Sequence, residues 1–223
     1  MTVKVHEVRR FDQVRFMGPG VLKITQDDAE SLTVHAPSYV MRDIHAVVVD
    51  GELRLGYKSP RVVSLRVHRE VISYSLKVRE LRGLKVTGVG RVIIPDLDND
   101  QIQISVTGIG QVTLEHVTAD RFDVKISGAG IVKAQGDVEA QSIAISGAGR
   151  YQASRLISDF ALVNISGAGT ADVSVAEDLD VVISGAGSVT YAGYPEITKR
   201  ISPMGHLSRR RRGRREEKGE EHG

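Results

Sequence analysis

The hexamers KISGAG (125–130), AISGAG (144–149), NISGAG (164–169) and VISGAG (182–187) decide how this chain folds. Two looser copies precede them, KVTGVG (85–90) and SVTGIG (105–110). Their first glycines fall at intervals of 20, 20, 19, 20 and 18 residues, and a degenerate seventh copy, RISPMG (200–205), follows after another 18. Self-similarity at a fixed short period is the mark of a stacked-repeat architecture. The residues around each hexamer say which one. Two positions before the first glycine stand Val86, Val106, Ile126, Ile145, Ile165, Ile183 and Ile201. Four positions before it stand Leu84, Ile104, Val124, Ile143, Val163 and Val181. Between these rows lie Lys85, Ser105, Lys125, Ala144, Asn164 and Val182, a mixed and mostly polar set. Alternation with period two is a strand with one buried face.

Beyond the glycines the alternation resumes. Val92, Val112, Val132, Tyr151, Ala171 and Val189 begin a second apolar row, and Ile94, Leu114, Ala134, Ala153, Val173 and Tyr191 continue it. Each copy therefore reads as strand, tight corner, strand. A period near 20 is too short for a strand–helix–strand crossover, which needs about 30 residues. It suits one coil of a β-solenoid whose coils stack about 4.8 Å apart. The expected fold is all-β, a single-stranded parallel β-helix with an irregular β-rich N-terminal cap. The excess of β-branched residues, 30 Val and 17 Ile against 14 Leu, agrees with it.

The glycine pairs mark the corners: Gly88 and Gly90, Gly108 and Gly110, Gly128 and Gly130, Gly147 and Gly149, Gly167 and Gly169, Gly185 and Gly187. The expectation is that these corners need positive φ, which glycine adopts without a Cβ penalty. A phosphate-cradling loop is disfavoured, because no copy carries the Lys-Ser/Thr of a P-loop or opens a helix. Thr87, Thr107, Ser127, Ser146, Ser166, Ser184 and Ser202 form a hydroxyl ladder beside the corner. The corner tip runs Val89, Ile109, Ala129, Ala148, Ala168, Ala186, and the shrinking side chain suggests a corner that tightens along the stack.

Residues 1–83 are β-rich but less regular. In FDQVRFMGPGVLKIT (11–25), Val14, Phe16, Leu22 and Ile24 flank Gly18-Pro19-Gly20 as the later apolar rows flank their glycines, so this is a divergent coil. Leu32 and Val34 continue it as a strand. Asp50-Gly51 between Ala46-Val49 and Glu52-Leu55 is a favoured two-residue hairpin turn. Residues 62–67 and 72–78 are further strands. One domain over 1–208 is expected, with cap and divergent coils in 1–83 and regular coils in 84–208, followed by a disordered charged tail at 209–223.

These residues carry a family resemblance. The run FDQVRFMGPGVLKITQDDAESLTVHA, the DGELRLG segment, the serial ISGAG and the ending GSVTYAGYPEITKRISPMG together resemble the head GIN domain, the auto-transporter adhesin family, over residues 5–207. The resemblance implies a β-helical fold, a bacterial cell-surface or secreted setting, and a surface ligand, glycan or protein. It brings no catalytic residues. The sequence departs from the family in lacking a visible signal peptide, in Pro203-Met204-Gly205 for the last glycine pair, and in its Arg-rich tail.

Composition narrows the chemistry. With no Cys, disulfides, thiolate metal sites and a Cys nucleophile are excluded. No stretch approaches the roughly 18 apolar residues of a membrane span. The net charge of +2 hides an asymmetry: seven basic and four acidic residues lie in 209–223, leaving 23 basic and 24 acidic in the body. The basic block Arg209–Arg215 is a candidate contact for anionic surfaces. The near-neutral body, with 4% aromatic residues, is a poor nucleic-acid binder. The outward corner positions (Arg91, Gln111, Ile131, Arg150, Thr170, Ser188 and Ile93, Thr113, Lys133, Gln152, Asp172, Thr190) show no acidic pair recurring on adjacent coils, which disfavours a polysaccharide-cleaving groove. Asp96, Asp98 and Asp100 open like a calcium loop, but Gln101 stands where such a loop needs Gly and Thr107 where it needs Glu. The seven histidines share no coil position. No cofactor or metal is expected, the protein is read as non-enzymatic, and self-association into oligomers is the alternative role for its coil edges.

Overall fold

The computed structural model describes residues 1–57 and 72–210. Strand makes up 67% and helix 2%, in a β-solenoid of about six turns with ~20-residue coils, as the repeat predicts. The N-terminal strands are β1 (Thr2–His6), β2 (Gln13–Phe16), β3 (Val21–Gln26) and β4 (Ser31–Ala36), then a one-turn helix α1 (Ser38–Met41). β5 (Ile44–Val49), β6 (Glu52–Tyr57), β7 (Ser73–Val78), β8 (Gly83–Val86), β9 (Arg91–Ile94), β10 (Leu97–Asp98) and β11 (Gln101–Val106) follow. The regular coils are the long, bent strands β12 (Gln111–Ile126), β13 (Ile131–Ile145), β14 (Arg150–Ile165) and β15 (Thr170–Ile183). β16 (Ser188–Ala192), β17 (Glu196–Ile201) and β18 (His206–Arg209) close the stack.

Pairing between coils is parallel and in register, so identical positions form columns. The aliphatic column before the corner runs Leu55, Phe16, Val86, Val106, Ile126, Ile145, Ile165, Ile183, Ile201. All but the last are at most 1% exposed, and each such side chain contributes about 1.5–3 kcal/mol by leaving water. The burial pattern of β12, with exposed pairs at Glu115-His116 and Asp120-Arg121, marks two bends between glycine corners. Each coil thus has three sides. The longest, residues 121–126 of β12 and their equivalents, is called the long face below.

The column order also shows that sequence order and stack order differ at the N-terminal end. β2 is sandwiched between β6 and β8, and β3 between β7 and β9. The divergent Gly18-Pro19-Gly20 coil therefore lies between the β6–β7 layer and the β8–β9 coil, both of which follow it in the chain. β4 does not continue that coil, as the sequence suggested. It turns back antiparallel to both β1 and β7. The Asp50-Gly51 hairpin forms as read, β5 antiparallel to β6, with both turn residues at positive φ (51° and 77°). The strand expected at 62–67 lies outside the described residues.

The corner glycines are required for a different reason from the one expected. Among the described glycines, positive φ occurs at Gly20, Gly51, Gly136 and Gly193, and at none of the twelve glycines of the six corners. Space is the constraint. A Cβ on Gly108, Gly128, Gly147, Gly167 or Gly185 would come within 3.0 Å of the carbonyl oxygen of the first glycine one coil below. A Cβ on Gly110, Gly130, Gly149, Gly169 or Gly187 would strike the Val or Ile of the aliphatic column below it. Backbone sits directly on backbone here, with Ala148 N–H donating to the Gly128 carbonyl at 3.2 Å and Ala168 N–H to that of Gly147 at 3.1 Å. The corner does not tighten along the stack. The tip is exposed (Val89 63%, Ile109 70%), so its size follows no packing demand.

One inward column breaks the apolar rule. Ile102, Phe122, Gln141, Ala161 and Leu179 share a position. Gln141, 2% exposed, accepts the Tyr151 hydroxyl at 2.9 Å and donates to Ser158 Oγ at 2.7 Å, and Ser158 donates to the Ser174 carbonyl at 3.3 Å. Buried polar groups cost little when so partnered, and burial pushes the Tyr151 phenol up from its ordinary pKa.

The C-terminal end extends two residues past the boundary drawn from composition. Arg209 lies in β18 with its guanidinium 3.6 Å from the Tyr194 ring centre, and Arg210 pairs with Asp172 at 3.3 Å. Residues 211–223 lie outside the described residues. In the last corner Ser202 Oγ donates to the Gly185 carbonyl at 2.6 Å, and Gly205 N–H closes a turn on the Ser202 carbonyl. Among the described residues β17 pairs on one side alone, with β15, and its exposed Lys199 stands in the inward column above Val181. An inward lysine on an edge strand blocks further pairing.

Two outcomes follow from this packing. Gly147→Val destabilises the protein by about 1–3 kcal/mol, while Ala148→Val at the exposed tip leaves the denaturation midpoint unchanged, both read by urea unfolding. Lys199→Val, by restoring an apolar rung at the open edge, shifts the sedimentation profile towards concentration-dependent end-to-end species that the parent does not form.

Candidate functional site

The side chains that can meet a ligand are those of the outward columns, and the long face carries the most varied set. Counting back from the first corner glycine, one column runs Lys125, Ala144, Asn164, Val182, Arg200 and the next Asp123, Ser142, Leu162, Asp180, Thr198. A third runs Arg121, Ala140, Phe160, Asp178, Glu196. Across the middle coils this face is hollowed into two adjoining shallow depressions. The first lies along Ser127, Ser146, Ser166 and Ser184, the second around Phe160 and Leu162.

Phe160 and Leu162 decide the character of the second depression. They are 38% and 41% exposed and stand two residues apart on one rung, so both project outward together. On the coil below they face the small Ala140 and Ser142, which leaves a hollow beside the apolar pair. On the coil above stand Asp178 and Asp180. Arg121 and Asp123, paired at 3.0 Å, close the lower end.

The two long edges of this face are rails. One is the hydroxyl ladder, whose members from Thr87 to Ser184 are all exposed, as read from sequence. The other corrects the sequence reading. Eight residues before the first glycine, every coil carries a carboxylate: Glu80, Asp100, Asp120, Glu139, Asp159 and Glu177. The register puts Asp100, Asp120, Glu139 and Asp159 one above another at the bend beside the long face. Acidic residues therefore do recur on adjacent coils. They lie beyond the positions that flank the glycines, and their constant spacing of eight residues before each first glycine is the mark they leave in the sequence. Among the described residues no three acidic or histidine side chains converge closely enough to hold a metal ion. The Asp96–Asp100 turn is fastened by hydrogen bonds: Gln26 accepts the Asp98 N–H at 2.9 Å, and Asn99 Nδ2 donates to the Leu81 carbonyl at 2.8 Å.

At the N-terminal end the same face changes sign. Arg54, Arg15 and Lys85 stack in the column that later holds Lys125. Glu52, 7% exposed, accepts from Arg54 Nε at 3.0 Å, Arg15 Nη2 at 3.1 Å and Lys85 Nζ at 3.3 Å. Burial alone would push the Glu52 carboxyl up, but these three donors outweigh it and hold the group below its ordinary value of 4.5. Composition and period did not reveal this cluster, because its members come from coils adjacent in space and not in sequence.

A long parallel solenoid with a shallow, mixed outward face and no converging metal ligands among its described residues belongs to the class of repetitive β-helical scaffold proteins. Comparison with known proteins gives the family. Residues 10–195 match the family model described as "Putative auto-transporter adhesin, head GIN domain", and the chain belongs to that family. No curated protein matches the sequence. Three solved structures share the fold. A "putative adhesin" from Bacteroides fragilis is 23% identical, with a TM-score of 0.87 over 93% of this chain and 96% of that one. A "putative adhesin" from Parabacteroides merdae is 15% identical, with a TM-score of 0.74 over 94% and 96%. A "putative lipid binding protein" from Parabacteroides distasonis is 22% identical, with a TM-score of 0.75 over 94% and 96%. At these identities the likeness is one of fold.

The Glu52 cluster gives a pH prediction. A carboxyl held below its unfolded pKa adds stability that is fully present above that pKa and is lost as pH falls through the folded value. The parent is therefore more resistant to urea than Glu52→Gln at pH 7, and the two midpoints converge as the pH is taken below about 4.

Proposed function

We propose that this protein is a non-enzymatic binding module, a bacterial cell-surface adhesin that holds a glycan or protein ligand on its long face. The observation that carries this reading is the Phe160–Leu162 rung, an exposed apolar pair set beside a hollow and framed by a carboxylate rail and a hydroxyl rail. A flat ring next to hydrogen-bonding groups suits a sugar ring or an aromatic side chain, where apolar area supplies affinity and the rails supply orientation. Family membership supports the adhesive role and the cell-surface setting. No helix among the described residues is long and apolar enough to cross a membrane.

Cleavage of a bound glycan is less well supported. Glycoside hydrolysis uses two carboxyls on opposite sides of the scissile bond; the acidic rail lies along one line, and of the carboxylates that flank the hollow Asp123 is already paired with Arg121 at 3.0 Å. Assembly through the coil ends is likewise disfavoured by the inward Lys199.

The test is adhesion. Beads coated with the parent protein bind target cells and a subset of an arrayed glycan set, and Phe160→Ala/Leu162→Ala lowers binding by about tenfold or more, the loss expected when two partly buried apolar side chains are truncated. Undiminished binding by the double variant removes the long face as the site, and turnover of a bound glycan overturns the non-enzymatic reading.

A further inference from the structure

We propose that the cleft lined by Arg15, Met17, His45, Arg54 and Tyr57 binds the carboxylate of an acidic sugar residue. The cleft, about 530 Å³, lies at the N-terminal end of the long face, where the β5–β6 hairpin meets the coil of β2. It is separate from the Phe160–Leu162 rung.

The charge arithmetic points to an anion. Arg54, Arg15 and Lys85 occupy one outward column on three successive coils. Like charges at strand spacing repel, and among the described residues the one carboxylate bonded to them is Glu52. Among the described residues these three cations face Glu52 and, beside Tyr57, Asp43, which leaves a surplus of one positive charge, with His45 at the cleft wall besides.

The geometry points to a carboxylate. Glu52 engages Arg54 through Nε and Arg15 through Nη2 and its Nε edge. Both Nη groups of Arg54 and Nη1 of Arg15 make no hydrogen bond among the described residues. A guanidinium presents five donors in a planar fork that matches a carboxylate. Glu52 therefore acts as a buried clamp: it holds two guanidiniums in adjacent coils and leaves donor edges of each unused.

The other walls point to a sugar rather than a bare ion. Met17 is 38% exposed and Tyr57 half-buried, and together they supply a thioether and a ring face against which the C–H side of a pyranose packs. Inorganic phosphate offers nothing to that wall. A ring bearing one carboxylate, a hexuronate or a sialate, meets both halves of the lining.

Titration calorimetry of the full chain with an oligogalacturonate, its neutral galactose counterpart, a sulfated galactose oligomer and inorganic phosphate tests the proposal. The uronate binds, the neutral sugar at least tenfold more weakly, and added salt weakens the uronate. Arg54→Gln loses at least tenfold; Arg54→Lys, which keeps the charge beside Glu52 but not the fork, is folded by its melting curve and still loses severalfold. Lys133→Gln, an exposed position outside the cleft, binds the uronate as the parent does. Equal affinity for neutral and acidic sugar, parental affinity in both Arg54 variants, or phosphate or sulfated sugar binding as tightly as uronate would falsify the assignment.

Discussion

Everything in this molecule depends on one close approach: the backbone of each corner lies on the backbone of the corner below. Strand spacing of about 4.8 Å is fixed by the ladder hydrogen bonds. Where the chain turns, the peptide planes rotate, and the glycine carbonyl of one coil points at the glycine Cα of the next. A Cβ has no place there. The second glycine is needed for a related reason, since the aliphatic side chain of the coil below already fills its space. The two glycines of every corner thus serve the vertical packing between coils, not the turn itself. This explains why the motif recurs only where coils stack in register. The last copy, with Pro203 for the first glycine, makes its corner differently: Gly205 N–H closes a turn on the Ser202 carbonyl, and the Gly185 carbonyl of the coil below accepts from Ser202 Oγ.

The fold was legible because a solenoid writes its core as columns. Reading two and four places before each glycine recovered side chains that are buried almost without exception, and the Gly18-Pro19-Gly20 coil was found by the same template. What escaped was non-local. The insertion of β2 and β3 between β6–β7 and β8–β9 leaves no periodic trace, because register between distant segments is chosen by total burial and not by any local signal. The hairpin at Asp50-Gly51, by contrast, is set by two residues and was plain. Positive φ was assigned to the corner glycines from what glycine usually does in turns. The sequence contains no mark that separates a conformational need from a spatial one, and only the distances between coils do so. The candidate site was half visible. The hydroxyl rail adjoins the motif and was seen. The acidic rail lies eight residues away on the far side of a strand, and the same column-by-column reading carried further would have reached it. Gln141 illustrates the cost of stopping early: aligned with Ile102, Phe122, Ala161 and Leu179, it declares itself an inward polar residue in need of partners.

Function in such a scaffold is confined by the same columns. Inward positions must stay apolar and glycines must stay glycine, so chemical variety accumulates on the outward columns, one rung at a time. Neighbouring rungs on the long face differ sharply, from Ala140 to Phe160 to Asp178 within one column. Solved structures at 15–23% identity share this architecture, so the stack tolerates wide change in its side chains. A ligand read by this surface is therefore selected by a few rungs, and relatives of the same fold need not share it.

The charges along the long face also have a direction. Arg54, Arg15 and Lys85 lie at one end of a single column, while Asp178, Asp180 and Glu196 lie on the same face towards the other, where Arg200 offsets part of their charge. Because the coils are stacked in register, the backbone holds these groups at fixed heights along the axis. The field of such a pattern orients an approaching charged chain before any contact forms, within roughly one Debye length of about 8 Å at physiological salt. The termini of the stack fit the same logic. Among the described residues Lys199 stands on the last rung of an inward column and puts a charge where a further coil would pack. A parallel β-stack is by nature self-complementary at its ends, and a charge on the final rung works against continuing it into a second copy.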